Sequence, residues 1–293
     1  MKNIGFAINS SKDKDNKIIN MVIKKFREKF DLEEIFVFSS FDAEIQDLKD
    51  VDLLVVLGGD GTLLGVARSL NESFRGSILG INIGNLGFLS SIDISDIDVA
   101  LNKLEAGNYK IVDRMMLNCK VEAQKNIEEL KALNDVVLAR GTLSRMVKFT
   151  IFVDGKIYST FRGDGLIIAT PTGSTAYSFS AGGPFIYPDL ELITITPICP
   201  HTKSMQTIVL NGNSTIEVHA DQEEEKIYLT VDGQKAIRVN HDMSVKLSKN
   251  NSSLKLLLFD DYNYFKVLRS KILNNSKECD GEEIWNQRDI QKY

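Results

Sequence analysis

A chain of 293 residues, 43% hydrophobic and 26% charged, has the size and composition of an ordinary soluble protein with room for two cores. A net charge of −5 argues against a general nucleic-acid binder, which needs clustered lysine and arginine. Three scattered cysteines without CxxC and three histidines without ligand spacing offer neither a disulfide framework nor a zinc site, and no apolar run is long enough to span a membrane, so a cytoplasmic protein is expected.

In chain order, residues 3–9 predict a first strand that ends in the polar stretch Ser10 to Lys17. Ile18, Ile19, Val22, Ile23 and Phe26 then recur at helical spacing. Residues 35–38 and 51–57 read as two more strands, Thr62 to Leu70 as a helix, and residues 77–82 as another buried strand. A further helix is expected over Ile94 to Glu105. Strands alternating with helices imply a parallel sheet built from βαβ units.

The texture then changes. From Asn118 to about Phe259, β-branched and aromatic runs alternate with turn signals, as in stacked sheets or a sandwich. Asp154-Gly155 and Asp232-Gly233, each between such runs, are hairpin signals. Helix returns at Tyr262 to Leu273, with Phe265, Leu268, Ile272 and Leu273 as its apolar stripe, and is expected to pack on the first domain. The expected division is 1–112 as an α/β domain, 113–259 as an all-β domain, and 260–293 as a returning helix with a polar tail anchored by Trp285.

The most informative string is Gly58-Gly59-Asp60-Gly61-Thr62, directly after an apolar strand. At average residue frequencies it should arise by chance in about one chain per several thousand of this length. Glycines around one carboxylate let the backbone approach a bulky charged group. Ligands bind at that end of strands in open α/β sheets, and a following helix N-terminus attracts phosphate. A Gly-Asp-Gly turn that merely tolerates positive φ is the plain alternative.

A second string runs from Asp164 through Thr172, Gly173, Thr175, Ala176, Tyr177 and Ser180 to Pro184. Small residues, hydroxyls and free amides there make a surface for a flat ring and phosphate oxygens, or else a helix start packed tightly on a sheet. Asn134-Asp135 sits within an apolar run, where two polar residues are costly to bury unpartnered. A polar ligand or a β-bulge would satisfy them equally well. There is no GxxxxGK[ST] and no nucleophile elbow around Ser174 or Ser180. Nor is there a strict GxGxxG, which disfavours an ordinary dehydrogenase.

These strings, with Gly84-Asn85-Leu86-Gly87-Phe88-Leu89, Asp113-Arg114, residues 196–201 and Asp232-Gly233-Gln234, resemble the bacterial NAD kinase family over most of the chain. Residues 58–62 alone are shared with phosphofructokinases and lipid kinases; the run from Asp164 to Pro184 is far more specific. The resemblance implies phosphoryl transfer from ATP or polyphosphate to the adenosine ribose 2′-hydroxyl of NAD. It gives Asp60 the role of base and Gly59, Gly61 and Thr62 the approach to donor phosphates. It puts Asn134, Asp135, Thr172, Thr175, Ala176, Tyr177 and Ser180 on NAD, with Phe88 and Leu89 lining the pocket and Asp164 near the nicotinamide across a subunit contact. It implies Mg²⁺ held mainly by the donor phosphates, and a homo-oligomer, commonly a tetramer. The family often has Arg-Pro where this chain has Gln206-Thr207. A lipid or sugar kinase would not need the second string. A dinucleotide-binding protein that lost transfer would not need Asp60.

Overall fold

The computed structural model describes residues 2–39, 48–84, 87–122, 127–141, 146–202, 204–221, 227–240 and 243–273. Asn85, Leu86, His241, Cys279 and the expected tail with Trp285 lie outside them. The chain begins β1 (Asn3–Ile8), α1 (Lys17–Lys29), β2 (Glu34–Ser39), β3 (Leu53–Gly58), α2 (Asp60–Ser69), β4 (Ser77–Asn82), β5 (Ile92–Asp93), α3 (Ile97–Ala106) and β6 (Tyr109–Arg114). It continues with β7 (Leu117–Glu122), β8 (Ile127–Ala132), β9 (Asp135–Arg140), β10 (Val147–Val153), β11 (Lys156–Gly163), β12 (Gly165–Ala169) and α4 (Tyr177–Ser180). Then come β13 (Leu192–Ile198), β14 (Ile208–Asn211), β15 (Ile216–Asp221), β16 (Ile227–Val231) and β17 (Lys235–Val239). The last elements are β18 (Ser244–Lys249), β19 (Leu254–Phe259) and α5 (Tyr264–Leu268), which runs into a π-helical turn at Arg269–Leu273.

The first sheet has the order β2-β1-β3-β4-β19-β6, parallel from β2 through β19, with β5 beside β4. All six residues of β3 are buried because both faces are covered. One face packs on Ile19, Val22 and Phe26 of α1 and Leu101 and Leu104 of α3, the other on Leu63, Val66 and Ala67 of α2. From β1 the chain crosses outward to β2, and from β3 it crosses the opposite way to β4. The C-terminal ends of β1 and β3 therefore flank a topological switch point, the place where an open α/β sheet leaves a crevice.

Two antiparallel sheets follow, β11-β10-β15-β18-β7-β8 and β14-β13-β12-β9-β16-β17. They share one core. Leu117, Phe149, Val218 and Val245 from the first interlock with Leu138, Ile168, Ile195 and Leu229 from the second. The expected α/β domain plus all-β domain is thus observed, and both Asp-Gly hairpins form. Asp154 and Gly155 have positive φ, as the two-residue type I′ connection between Val153 and Lys156 demands. Asp232 and Gly233 also have positive φ but belong to a three-residue loop with Gln234, since Val231 pairs with Lys235.

Three features differ from the sequence reading. β19, expected at the end of the all-β unit, is an interior strand of the first sheet, pairing with β4 and β6. Its apolar run Leu256, Leu257, Leu258 and Phe259 suits a strand covered on both faces, but composition does not say which sheet receives it. Helix α2 starts at Asp60, two residues earlier than expected. In the C-terminal helix Val267 and Leu268 are buried, whereas Phe265 is 56% exposed and stacks on Tyr187. The segment does return to the first domain, where the Tyr262 hydroxyl donates to the Phe88 carbonyl at 3.1 Å.

Candidate active site

The apolar strand β3 carries Gly58 and Gly59 into the crevice at the switch point, and α2 begins at once with Asp60. None of Gly58, Gly59 and Gly61 is among the positive-φ residues, so the run is not a left-handed turn. Close approach explains Gly58, where a Cβ would stand 2.3 Å from Thr62 Oγ1, and bears on Gly61, at 3.2 Å from Gln234 Nε2, whereas Gly59 faces open space with only the Lys12 ammonium at 3.9 Å. The Phe88 N–H donates to Asp60 Oδ2 at 2.7 Å and the Leu89 N–H to Oδ1 at 3.1 Å, fixing the carboxylate against the second glycine string. A Cβ on Gly87 would stand 1.9 Å from Asp60 Oδ1, so the carboxylate occupies the space a side chain would need. Each carboxylate oxygen keeps a lone pair for a further donor. Tyr262 braces this corner through Phe88, and burial pushes its hydroxyl up to about 12, so it acts as a neutral donor.

The Asn134-Asp135 pair lies at the start of β9. The backbone N–H groups of Leu133, Asn134 and Asp135 all donate to the Asp232 carboxylate, at 3.2, 2.8 and 3.2 Å. The Asp135 side chain is buried, receives the Tyr177 backbone N–H, and is pushed up to about 7, first by burial and then by the Asp232 charge. Burial also raises Asp232, against the Asn134 N–H and the Arg68 guanidinium that favour its ionised form.

The second string folds over this pair. The Thr170 N–H donates to the Asn134 carbonyl at 2.9 Å, and the Thr170 hydroxyl to the Leu133 carbonyl at 2.6 Å. A Cβ on Gly173 would meet the Asn134 carbonyl oxygen at 2.1 Å, so glycine lets the turn at Thr172–Thr175 lie directly on residue 134. The Thr172 hydroxyl is buried with no hydrogen-bond partner, an orphan that a ligand would satisfy. Thr196 pins α4 from below through Ser178 at 3.1 Å, and Thr207 donates to Thr196 at 3.2 Å. The Gln206-Thr207 departure thus supplies a part-buried hydroxyl contact of its own.

The structure brings Gly59, Asp60, Gly61, Thr62, Phe88 and Leu89 together in one cluster. Asn134, Asp135, Thr172, Thr175, Ala176 and Tyr177 form a second. Asp164 stands further along, hydrogen-bonded to Arg140 Nε at 2.7 Å and lining a cleft with Arg140 and Tyr177 of the same chain. Ser180 is exposed at the end of α4, and no side-chain hydrogen bond joins it to either cluster among the described residues. Two cations escaped the sequence reading. Lys12, in the loop after β1, places its ammonium 3.9 Å from where a Cβ on Gly59 or on Gly84 would stand, and makes no ion pair among the described residues. Arg68, in the last turn of α2, reaches Asp232 at 3.1 Å. A strand-to-helix loop at a switch point is the signal that would have singled out Lys12; for Arg68 the sequence offers none.

A profile of the ATP-NAD kinase N-terminal domain matches residues 7–109, and one of the ATP-NAD kinase C-terminal domain matches residues 133–259. This chain belongs to the NAD kinase family. An NAD kinase of Clostridium beijerinckii is 81% identical over 284 residues, 97% of this chain and all of that protein. One of Clostridium perfringens strain 13 is 49% identical over 273 residues, 93% of this chain and 99% of the relative. Among solved structures, an Archaeoglobus fulgidus NAD kinase in complex with ATP superposes with TM-score 0.71 at 26% identity, over 92% of this chain and 97% of that one. A yeast NADH kinase complexed with NADH superposes with TM-score 0.81 at 22% identity, over 94% and 88%, and speaks to the fold alone.

Proposed function

We infer that the protein transfers the terminal phosphoryl group of ATP to the adenosine ribose 2′-hydroxyl of NAD, giving NADP and ADP. The observation that carries the reading is Asp60: a carboxylate at the switch-point crevice, oriented by two backbone N–H donors and backed by a glycine with no room for a side chain. The 2′-hydroxyl is a poor nucleophile at neutral pH. As its oxygen bonds to phosphorus, the bond to the bridging oxygen breaks, ADP leaves, and the hydroxyl proton passes to Asp60. The backbone at Gly59, Gly61 and Thr62 approaches the donor phosphates, and Lys12 adds a positive charge there. ATP as donor draws support from the archaeal relative solved with it.

Asn134, Asp135, Thr172, Thr175, Ala176 and Tyr177 hold the adenosine of NAD, with Phe88 and Leu89 beside it and Asp164 toward the nicotinamide. The orphan hydroxyl of Thr172 supports that assignment. Among the described residues no group of three His, Cys, Asp or Glu side chains is placed to hold a metal ion. Mg²⁺ carried on the donor phosphates would neutralise the charge that develops on the transferring group. A homo-oligomeric, commonly tetrameric assembly and a cytoplasmic location rest on family membership. Among the described residues no helix is long and apolar enough to cross a membrane.

The test is NADP formation from NAD and Mg²⁺ with ATP, other nucleoside triphosphates and polyphosphate in parallel. NADP with ATP supports the reading; NADP with polyphosphate as well widens the donor class. No NADP with any donor, from a folded protein that binds NAD, would sink it and favour a binding protein that lost transfer.

A further inference from the structure

The two clusters belong to different domains, so something must set the distance between them. A continuous chain of hydrogen bonds does this. Gln234, just past the Asp232-Gly233 hairpin, donates its amide Nε2 to the Gly61 carbonyl at 2.7 Å. Its Oε1 accepts from Arg68 Nη2 at 2.6 Å. The other arm of the same guanidinium donates to Asp232 Oδ2 at 3.1 Å, and Asp232 in turn accepts the three backbone N–H groups of Leu133, Asn134 and Asp135. The chain starts in the first turn of the helix that opens with Asp60. It ends on the backbone that carries Asp135.

We propose that Arg68, Asp232 and Gln234 are positioning residues that lock the base-bearing turn of α2 onto the dinucleotide-gripping loop. The proposal rests on the kinase reading for its kinetic consequence, though not for its geometry. Three observations separate the clamp from ordinary helix decoration. A cation in the last turn of α2 is favoured by the helix dipole, but the dipole does not explain why Arg68 spends both arms across a domain boundary. The Asp232 side chain is fully buried, so its charge is compensated where it stands or not at all. And Gly61 is glycine where Gln234 crosses: a Cβ there would stand 3.2 Å from Gln234 Nε2. The planar fork of arginine serves Asp232 and Gln234 together. A lysine ammonium satisfies the charge of Asp232 without spanning both.

The experiment compares Gln234→Ala, Arg68→Lys and the double variant with the wild type. Gln234 is solvent-exposed, so its truncation leaves the core untouched. Misplacing the base relative to its substrate lowers turnover more than binding, so both single variants should lose about tenfold or more in kcat with the KM for NAD within about threefold. The double variant should be no worse than the worse single, because both break one chain. Wild-type kcat in both singles, or losses that multiply in the double, overturns the proposal. Hydrogen exchange decides the point without turnover. In Gln234→Ala, amides over 59–64 and 133–136 should exchange about fivefold faster together, the loss of one hydrogen bond. Unchanged exchange in either segment overturns the clamp even if no NADP is made, whereas wild-type protein that makes no NADP overturns the kinase reading alone.

Discussion

Two aspartates of this site, Asp60 and Asp135, are held in opposite ways. Asp60 lies at a crevice edge, half-buried, with both oxygens on backbone N–H groups of a neighbouring loop. Asp135 is buried beside a second carboxyl that burial also raises, and is itself pushed up to about 7. The first arrangement fixes geometry and leaves lone pairs free to take a proton. The second leaves a carboxyl poised between its two forms near neutral pH, suited to gripping a neutral polar ligand. Backbone donors thus set the environment of Asp60, and desolvation sets that of Asp135.

The largest expected effect breaks the first half of that comparison. Asp60→Asn keeps the shape and removes the proton acceptor, so kcat should fall about 10²–10⁴-fold while NAD affinity, measured by calorimetry, stays measurable. Full turnover would remove Asp60 from the chemistry. Gly87→Ala tests the same half without touching the acid. Its Cβ would stand 1.9 Å from Asp60 Oδ1, so the carboxylate must turn away. We expect about a 10²-fold loss in kcat from a folded protein, because displacements of about 1 Å cost that much. A wild-type rate in this variant would mean that the orientation imposed by the Phe88 and Leu89 amides is irrelevant.

Much of this was legible before the fold was known, and the pattern of what was not is instructive. Residues 51–57, the glycine run and the two Asp-Gly hairpins are local signals, set by strand burial and by φ preferences within a few residues. Asp60 was readable because glycines flank it at the end of an apolar strand, and Asn134 and Asp135 because polar residues amid apolar ones demand partners. The partners themselves were not readable. Asp232 meets Asn134 across 98 positions and Gln234 meets Gly61 across 173. No periodicity carries such a pairing. The placement of β19 failed for the same reason, since an apolar strand fits any doubly covered sheet. Lys12 was passed over because a lysine in a polar loop looks like solvated surface until the strand order makes that loop one wall of the crevice.

The second half of the comparison is sharpened by pH. If Asp135 accepts hydrogen bonds from NAD, its ionised form binds better, and the KM for NAD should fall as pH rises through about 7. Asp135→Asn should flatten that dependence, with an overall change of about tenfold or less. Stability should move the other way. The folded state holds the Asp135 proton that the unfolded chain has released above pH 4, so the group's contribution is full at low pH and is lost as pH climbs to about 7. The melting temperature of Asp135→Asn relative to wild type should therefore improve between pH 5 and pH 8. A gap constant across that window would mean that Asp135 is ionised throughout, and the contrast with Asp60 would collapse.

The smallest effect tests whether the crevice beside Asp60 is a phosphate site at all. Lys12 is exposed, so removing its charge should leave the fold intact and cost only a screened interaction of about 1 kcal/mol with a bound triphosphate. That corresponds to roughly a fivefold rise in the KM for ATP with the KM for NAD unchanged, and the rise should shrink as salt is added. Such a split places the donor phosphates at the ends of β1 and β3 and leaves the dinucleotide to the Asp135 side. If Lys12→Ala instead raised the KM for NAD alone, the two substrates would have to exchange places, and Asp60 would face the donor from the wrong side to take a proton from the 2′-hydroxyl.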